Sequence, residues 1–316
     1  MKKFFLLLSL IISAIILSFS ITTVFADEWQ ELQPPWMYNR MQEPENSTLP
    51  EKSNTSNDKY PKIPVIMYHL ISDNSEDWSD YCISSAKLED DFTYIIENGF
   101  TPIFASEYKL LSEDKPIEKP ILITFDDGYL SDLTKVMPII ERLQIKTNFF
   151  IIGKMLNAAP SNPNRYMNSA DLRKLAKSKY AEIGSHSYSL HLTLPDQLME
   201  FYINTDNIKK IINDFKLNER LIEKIIGKEI QALSFPYGLI PEPYEIFREK
   251  LPYDITFSST EKLNSSLYDL HIFGRFNRPN SLTTTEFFDK ILSKDTQAAS
   301  STLSRKELIE RNRNIK

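Results

Sequence analysis

The sequence predicts an α/β fold whose parallel strands are separated by helices and arranged either as an open sheet or as a barrel. Almost unbroken apolar runs such as residues 121–125 are too short for helices and are typical of strands buried on both faces. Between such runs the apolar residues recur at helical spacing, most clearly across 206–226. Because strands and helices alternate along the chain, neighbouring strands are expected to be parallel, with the helices packed outside the sheet.

The composition is typical of a globular protein that carries an export signal. The chain has 316 residues, of which 41% are hydrophobic and 12% aromatic, enough for one large domain or two small ones. Residues 1–26 combine Lys2 and Lys3 with a long apolar stretch, and we predict a signal peptide cleaved after Ala26. The apolar stretch is also long enough to span a bilayer, so an uncleaved N-terminal anchor is the alternative. Both interpretations predict a secreted or cell-surface protein with a possible membrane tether.

Charge and cysteine content exclude several classes of protein. The formal net charge is −6, and removal of residues 1–26 removes two lysines and no acidic residue, which makes the remainder more acidic. An acidic balance argues against nucleic acid as a partner and against a basic membrane-binding surface. Cys82 is the only cysteine, which rules out an intrachain disulfide framework and a cysteine-based zinc site.

In chain order, residues 27–61 lack periodicity, are rich in Pro, Glu, Asn and Ser, and are predicted to form a loose N-terminal arm. A folded domain is predicted over 62–293, followed by a polar tail over 294–316. Within the domain, the predicted strands are 63–69, 121–125, 147–152, 181–185, 230–235, 255–258 and 269–276. The predicted helices are 87–97, 105–112, 131–143, 168–177, 206–226 and 242–249.

Local signals set the predicted ends of several of these helices. Ser84 or Ser85 is expected to cap the first helix, which Asn98 and Gly99 then end. Pro138 lies inside the 131–143 pattern, so that helix is either kinked or starts near Met137. Gly227 closes the helix over 206–226.

Two adjacent carboxylates, Asp126 and Asp127, follow the strand at 121–125, and Gly128 lets the backbone turn sharply after them. Adjacent like charges beside a core strand are costly unless something neutralises or uses them. A solvated turn at the strand end would also explain the pair. In a barrel, however, residues just past the carboxyl ends of the strands converge on one face, where the chemistry takes place.

A second polar cluster follows the strand at 181–185. His186 and His191 are two of only four histidines, and a loop can direct both imidazoles inward. With one carboxylate of the aspartate pair they would form a His₂Asp metal site that keeps open positions for water and substrate. Two loop histidines that make local hydrogen bonds are the simpler alternative. A structural metal is a weaker one, because structural sites are usually closed by four protein ligands.

A third cluster, Phe235, Pro236, Tyr237 and Gly238, completes the strand at 230–235 with a turn. Proline and glycine would fix a tight loop, and Tyr237 would offer a backbone N–H and an aromatic wall. A structural turn alone would also explain this cluster. We take Phe235, Pro236 and Tyr237 as candidate substrate contacts.

Together these motifs resemble the polysaccharide deacetylases of the NodB-homology group, carbohydrate esterase family four. The resemblance rests on T-F-D-D-G at 124–128, H-S-x-x-x-H at 186–191 and F-P-Y-G at 235–238, and it covers about residues 62–280. It implies a distorted (β/α) barrel of about seven strands, with 62–293 as the catalytic domain. It also implies hydrolysis of N-acetyl groups on an N-acetylglucosamine-containing polysaccharide, with release of acetate.

The resemblance also implies roles for individual residues. Asp126 would be the general base, and Asp127, His186 and His191 would bind one divalent metal ion. Zinc is expected first, with cobalt, nickel or iron as alternatives. The backbone N–H of Tyr237 would contribute to an oxyanion hole. A bound metal lowers the pKa of a water molecule and polarises the acetyl carbonyl, while Asp126 stays free to take the proton.

The chain departs from the commoner family pattern in three places. His191 comes one residue later than in the usual H-(S/T)-x-x-H motif, and Ser234 stands near the position of the usual arginine. The late leucine–histidine motif is not clear; His271 lies near it and is a candidate general acid, with a partly exposed strand histidine as the alternative. Arg275 in the same stretch could pair with Asp126 and replace the missing arginine, unless it is a surface residue.

The substrate is predicted from the remaining features. His69 ends the first predicted strand, so it would open onto the same face as a pocket residue and possible acid. The histidine spacing, the arginine-free Pro-Tyr-Gly loop and the opening V-I-M-Y-H are similar to the exported poly-β-1,6-N-acetylglucosamine deacetylases. An exopolysaccharide is therefore the expected substrate, with peptidoglycan as the alternative. An O-acetyl esterase, for example on xylan, and a carbohydrate-binding protein of the same fold without turnover are the other functions left open.

Overall fold

The computed structural model describes residues 62–112, 117–157, 165–251, 253–264 and 272–297. Within these ranges, nine parallel strands form one sheet. Its strands are β1 (Val65–Tyr68), β4 (Thr101–Ile103), β5 (Pro120–Phe125), β6 (Thr147–Ile151), β7 (Ala181–Ser185), β8 (Ala232–Ser234), β9 (Ile255–Phe257), β10 (Ile272–Phe273) and β11 (Phe276–Asn277). They lie in the order β10-β9-β8-β7-β6-β5-β1-β11, and β4 pairs with β5. A separate two-stranded sheet joins β2 (Leu70–Ile71) and β3 (Cys82–Ile83).

The central strands are buried on both faces, as their unbroken apolar runs predict. Every residue of β1, β5 and β6 is buried. Because successive side chains of a strand point to opposite faces, Ile121 and Ile123 join one hydrophobic cluster while Leu122 joins another. β5 pairs with β1, β4 and β6, so the aspartate pair that follows it emerges from the middle of the sheet.

The described part of the last predicted strand, 269–276, is two short strands on opposite edges of the sheet. β10 pairs with β9, whereas β11 pairs with β1. Only Gly274 and Arg275 lie between them, and such a short connection spans about 10 Å at most. The two edges therefore come close, and the sheet curls into a distorted barrel. A Cβ atom on Gly274 would lie 2.3 Å from the carbonyl oxygen of Thr260, so glycine is required at the break.

The distorted (β/α) barrel predicted from the sequence is confirmed, with nine described strands in place of about seven. The two additional strands have simple origins. The last predicted strand divides in two, and β4, which has only three residues, was not predicted. The described α-helices are α1 (Ser85–Glu97), α2 (Met137–Leu143), α3 (Ser169–Leu175), α4 (Pro195–Ile203), α5 (Ile208–Ile226), α6 (Tyr244–Lys250) and α7 (Thr284–Gln297).

Helix ends follow the local signals closely. The Ser84 side chain accepts a hydrogen bond from the backbone N–H of Lys87 and so caps α1. A capping box between Asn168 and Asp171 starts α3. Gly227 ends α5 in the left-handed conformation, with its N–H bonded to the Glu223 carbonyl.

Three segments differ from the predicted helices. The residues Ala105–Ser112 form a 3₁₀ helix, and Asp132–Val136 form a π-helical turn that leads into α2. The regular α-helix begins at Met137 with Pro138 in its first turn, as one of the two alternatives predicted. The backbone is already helical from residue 130 and reaches α2 through the π turn, so the helix is interrupted before Pro138 rather than absent there. α4 was not predicted; it also begins with a proline and buries Leu198 and Tyr202.

The predicted signal peptide (1–26), N-terminal arm (27–61) and most of the polar tail lie outside the described residues. α7 continues to Gln297, past the predicted end of the domain at 293. No helix in the described ranges is long and apolar enough to cross a membrane.

Candidate active site

Polar side chains gather where the parallel strands end. Asp126 and Asp127 follow β5, His186 follows β7, and Tyr237 lies in the turn after β8. Arg275 occupies the break between β10 and β11. The carboxyl ends of parallel strands share one face of a barrel, so residues distant in sequence meet there.

Asp127, His186 and His191 form a group with the geometry of a metal site. Their candidate ligand atoms all lie within 4.8 Å of one another. The Oδ1 atom of Asp127 is 3.5 Å from Nε2 of His186 and 3.4 Å from Nε2 of His191. Ligands about 2.0–2.2 Å from a tetrahedral zinc ion are about 3.4 Å apart, so these separations match a shared ion.

The polar atoms of this group also fit a metal. Asp127 Oδ1 and His186 Nε2 are buried and have no hydrogen-bond partner among the described residues. His186 Nδ1 lies 2.7 Å from the carbonyl oxygen of Ser234, to which it can only donate, so the Nε2 lone pair is left for a ligand bond. Burial lowers the pKa of His186 to about 4, which keeps the imidazole neutral at physiological pH.

A tightly held loop brings His191 back to the site. Ser187 has a left-handed backbone (φ 69°), and its hydroxyl accepts a hydrogen bond from the His191 N–H at 3.2 Å. Asp214 on α5 accepts hydrogen bonds from the backbone N–H groups of Tyr188 and Ser189, at 2.8 and 3.0 Å. Sequence reasoning missed Asp214, because no local pattern links it to a loop about 25 residues earlier.

Asp126 faces different partners from Asp127. Arg275 donates two parallel hydrogen bonds of 2.8 Å to the two carboxylate oxygens of Asp126. The Ser234 hydroxyl donates to Asp126 at 3.1 Å and accepts from Arg275 at 2.9 Å. Burial alone would raise the pKa of Asp126, but the charge and hydrogen bonds of Arg275 hold it well below its ordinary range.

Ser234 is therefore part of the site, although the sequence predicted no function for it. It stands near the position of the usual family arginine, and in the fold Arg275 reaches the same region from the other end of the domain. Its hydroxyl joins Asp126 to Arg275, and its carbonyl orients His186. The signal available in the sequence was its position at the end of a strand.

The three predicted substrate contacts occupy different environments. Phe235 is fully buried and packs edge-on against Phe215 and Tyr244 in the core. Pro236 is buried as well. Phe235 and Pro236 are therefore core and turn residues rather than exposed substrate contacts, because apolar packing holds them inside. Tyr237 is 37% exposed.

Tyr237 also supports a predicted metal ligand. Its ring stacks on the His191 ring at 4.3 Å between centroids, and its hydroxyl donates to the His191 carbonyl at 2.9 Å. The backbone of Tyr237 is left-handed (φ 56°), as are those of Asp127 (φ 78°) and Ser187. Such conformations cost on the order of 1–3 kcal/mol each for non-glycine residues and are typical of functional sites.

His69 lies at the end of β1, close to the aspartate pair. Its Nδ1 atom is buried without a hydrogen-bond partner in the described ranges, and its ring packs edge-on against Tyr81 at 5.0 Å. Burial lowers the pKa of His69, and the negative charges of Asp127 and Asp126 oppose that shift. Its function as an acid stays a prediction. His271, the other candidate acid, lies outside the described residues.

Most of the site residues lie in a region that matches a known protein family. A family model described as polysaccharide deacetylase matches residues 113–255, a range that contains both aspartates, both loop histidines and Tyr237. The chain therefore contains a polysaccharide deacetylase domain over these residues. Together with its relatives, this domain indicates a polysaccharide deacetylase, a hydrolase. Arg275 lies beyond the matched range.

Curated relatives of this deacetylase are distant in sequence. YxkH of Bacillus subtilis (strain 168), which carries the provisional name polysaccharide deacetylase, is 23% identical over 283 residues, 86% of this chain and 92% of that protein. The poly-beta-1,6-N-acetyl-D-glucosamine N-deacetylase of Escherichia coli (strain K12) is 24% identical over 156 residues. That match covers 44% of this chain but only 23% of the longer Escherichia coli protein.

Solved structures show the same fold. IcaB from Ammonifex degensii superposes on this chain with a TM-score of 0.62 at 19% identity, over 73% of this chain and 96% of the IcaB chain. The Streptococcus pyogenes deacetylase PplD gives a TM-score of 0.60 at 16% identity, over 73% and 99% of the two chains. At such identities the likeness establishes the fold, and the substrate has to be argued from the site.

Proposed function

We propose that this protein is a metal-dependent hydrolase that removes N-acetyl groups from an N-acetylglucosamine-containing polysaccharide and releases acetate. The observation that carries the proposal is the different environment of the two adjacent aspartates. The Oδ1 atom of Asp127 has no hydrogen-bond partner among the described residues and faces the imidazoles of His186 and His191. Asp126, in contrast, is hydrogen-bonded to Arg275. One carboxylate is therefore suited to bind a metal, and its neighbour is suited to act as a base.

In the proposed reaction, Asp127, His186 and His191 would hold a divalent ion, which when bound would polarise the acetyl carbonyl and supply an activated water. Zinc is the first choice because the ligands are two nitrogens and one oxygen with open positions. Cobalt, nickel and iron suit similar ligands.

The remaining steps are assigned to residues of the chain. Asp126 would take the proton of the attacking water while Arg275 keeps its carboxylate ionised and oriented. The backbone N–H of Tyr237 would donate to the oxyanion, where losing one donor costs about 10²–10³ in rate. When the C–N bond of the acetamide breaks, acetate is released and the amine takes a proton. His69 or His271 is the proposed donor of that proton.

Two exposed aromatic rings support a glycan as the substrate. Tyr81 is 59% exposed and contacts His69, and Tyr237 is 37% exposed and stacks on His191. Exposed aromatic rings beside the site are suited to pack against sugar rings. We propose poly-β-1,6-N-acetylglucosamine as the first candidate polymer, because curated relatives carry that activity in their names. Peptidoglycan is the second.

We also propose that the protein acts outside the cytoplasmic membrane. The support is the predicted export signal at 1–26, with an uncleaved anchor as the other form of the same proposal. The N-terminal sequence of the protein recovered from medium and from membranes would distinguish cleavage after Ala26 from anchoring.

The experiment that tests the function is acetate release from N-acetylglucosamine polymers by metal-stripped protein, with and without added zinc, cobalt or nickel. We expect release only with metal. Asp126→Asn should bind metal but release no acetate, and His191→Ala should bind metal weakly. Release from acetylated xylan alone would identify an O-acetyl esterase. Stoichiometric metal and measurable sugar binding without release from any glycan would identify a binding protein, although no feature of the described site favours either alternative.

A further inference from the structure

The position of His186 depends on how the chain is held where β7 ends. β7 pairs with β6 over its whole length, but with β8 only through one register pair, Ser185 with Leu233. His186 follows Ser185 directly, and Ser187 already has a left-handed backbone (φ 69°). The backbone that carries the imidazole is therefore the last residue before the chain turns away from the sheet.

Asn218 on α5 reaches this point with its side chain. Its Nδ2 atom donates hydrogen bonds to the Ile151 carbonyl at 2.9 Å and to the Ser185 hydroxyl oxygen at 2.8 Å. The same Ile151 carbonyl accepts a hydrogen bond from the His186 backbone N–H at 3.0 Å. A carbonyl oxygen can only accept, so the amide nitrogen of Asn218 has to be the atom that faces it. One side chain thus joins the last residues of β6 and β7 immediately before His186.

The Asn218 side chain is completely buried and closely surrounded. Its Oδ1 atom has no hydrogen-bond partner among the described residues, so the two bonds of Nδ2 set its orientation. A Cβ atom on Gly153 would lie 2.1 Å from this Oδ1 atom, and glycine is therefore required there for the side chain to fit. The Gly153 N–H donates to the Ser187 carbonyl at 3.2 Å, which continues the contact between the two segments beyond the strands.

Asn218 lies one helical turn after Asp214 and so on the same face of α5. Asp214 accepts hydrogen bonds from the N–H groups of Tyr188 and Ser189, in the loop that leads to His191. Asn218 instead bonds to the strand ends that precede His186. α5 therefore supports both proposed histidine ligands, through different contacts.

We propose that Asn218 is a positioning residue that fixes the backbone of His186 for metal binding by joining the ends of β6 and β7. The inference rests on the proposed function, because it requires His186 to bind the metal. It adds a residue that none of the three sequence clusters contains.

Zinc affinity of the full chain tests the proposal, measured by competition with a chromophoric chelator. Asn218→Ala removes both hydrogen bonds and leaves every proposed ligand in place. We expect its zinc dissociation constant to rise by about 10-fold, the lower end of the range for residues that support metal ligands, because Asn218 acts through the backbone. The absorption spectrum of the cobalt-loaded variant should shift, because it reports ligand geometry.

The matched control is Asn148→Ala. Asn148 is also a buried asparagine whose side chain bonds to two backbone groups, the Ala105 N–H at 2.8 Å and the Ile123 carbonyl at 3.0 Å. It lies on the same strand as Ile151, three residues nearer the amino end. The melting temperatures of both metal-free variants should fall, but zinc affinity should change only in Asn218→Ala. If Asn218→Ala does not fold, Ser185→Ala removes one of the two bonds, with an expected loss of affinity of a few-fold.

The outcomes separate this inference from the proposed function. Wild-type zinc affinity in both Asn218→Ala and Ser185→Ala, while His186→Ala binds zinc weakly, would overturn the positioning role and leave the metal site intact. An equal loss of affinity in Asn218→Ala and Asn148→Ala would also overturn it, because lost stability would then explain the effect. Wild-type affinity in His186→Ala would overturn the metal site and the inference with it. Weakened binding in Asn218→Ala but not in Asn148→Ala would support the proposal.

Discussion

Arg275 donates two hydrogen bonds of 2.8 Å to the carboxylate of Asp126, which lies 149 residues earlier in the sequence. Both side chains are almost completely buried, at 1% and 2% exposure. The Arg275 Nε–H also donates to the Ser258 carbonyl at 3.0 Å, so the guanidinium is fixed from two sides. Removing one partner of a buried ion pair is costly, because the remaining charge is left buried without a partner.

Arg275→Lys should therefore lower both stability and activity. Lysine keeps the charge but cannot form the two parallel bonds. We expect the free energy of unfolding to fall by about 1.5–3 kcal/mol, the range for hydrogen bonds to charged groups. Because the proposed base loses its orientation, kcat/KM should fall by about 10²-fold or more. Urea unfolding and acetate release measure the two effects.

Arg278→Lys is the matched control for this prediction. Arg278 forms an equally buried bidentate pair with Asp91, at 2.7 and 3.0 Å, and among the described residues its side chain makes no hydrogen bond to Asp126 or Asp127. It should show a similar loss of stability with kcat/KM per folded molecule close to wild type. Equal losses of activity in the two variants would contradict a specific role for Arg275.

Asp214→Ala should loosen the loop that carries His191. The backbone N–H groups of Tyr188 and Ser189 would lose their acceptor, which costs about 1–3 kcal/mol. We expect weaker zinc binding, measured by chelator competition, because the loop no longer holds the imidazole in place. Asp214→Asn keeps one acceptor oxygen and should lie between wild type and alanine. Unchanged affinity in Asp214→Ala would show that Ser187 and Tyr237 hold the loop without it.

Tyr81→Ala should weaken polymer binding without stopping the reaction. Tyr81 is exposed beside His69, and its loop is fixed by a 2.7 Å hydrogen bond from Asn277 to the Asp80 carbonyl. If one sugar packs on the ring with about 0.5–1.5 kcal/mol, KM for the polymer should rise about 2–12-fold with little change in kcat. Tyr81→Phe keeps the aromatic face and should restore KM. An equal rise in both variants would argue against packing.

Asp132→Asn should stabilise the metal-free protein, and increasingly so at higher pH. Asp132 is fully buried, and neither carboxylate oxygen has a hydrogen-bond partner in the described ranges. Burial and the charges of Asp127 and Asp126 raise the pKa of Asp132 in the folded protein. Above about pH 3.9, where an unfolded aspartate ionises, the folded chain therefore holds a proton that the unfolded chain has released. Stability falls with rising pH until the raised pKa is passed.

Asparagine does not ionise, so Asp132→Asn removes this pH-dependent loss of stability. The difference in unfolding free energy between Asp132→Asn and wild type should therefore grow by up to about 1.4 kcal/mol per pH unit above pH 4. Urea unfolding at pH 5 and 7 in the presence of a chelator measures it. Asp90→Asn, at an exposed position on α1, should show no such trend. A constant difference between Asp132→Asn and wild type at the two pH values would mean that Asp132 is ionised in the fold.

Local patterns in the sequence determined most of the framework and part of the site. Apolar runs of four to seven residues predicted the main strands, and caps such as Ser84 and Gly227 predicted helix ends. One carboxylate of the aspartate pair was predicted to join His186 and His191 because both clusters follow strands, and parallel strands share an end. The family resemblance then implied that this carboxylate is Asp127, and the structure brings the three residues together. These features depend on neighbours within a few residues, which a sequence displays directly.

Tertiary structure alone decided which partners each polar group meets. Phe235 was a candidate substrate contact, yet core packing buries it, and the last predicted strand breaks at Gly274 so that the barrel edges can meet. Residues such as Asp214 carry no local signal for their contacts. The contact of Asp126 with Arg275 arises only when barrel closure brings two segments 149 residues apart into hydrogen-bonding range. Its geometry is a property of the closed barrel, because no short stretch of chain contains both partners.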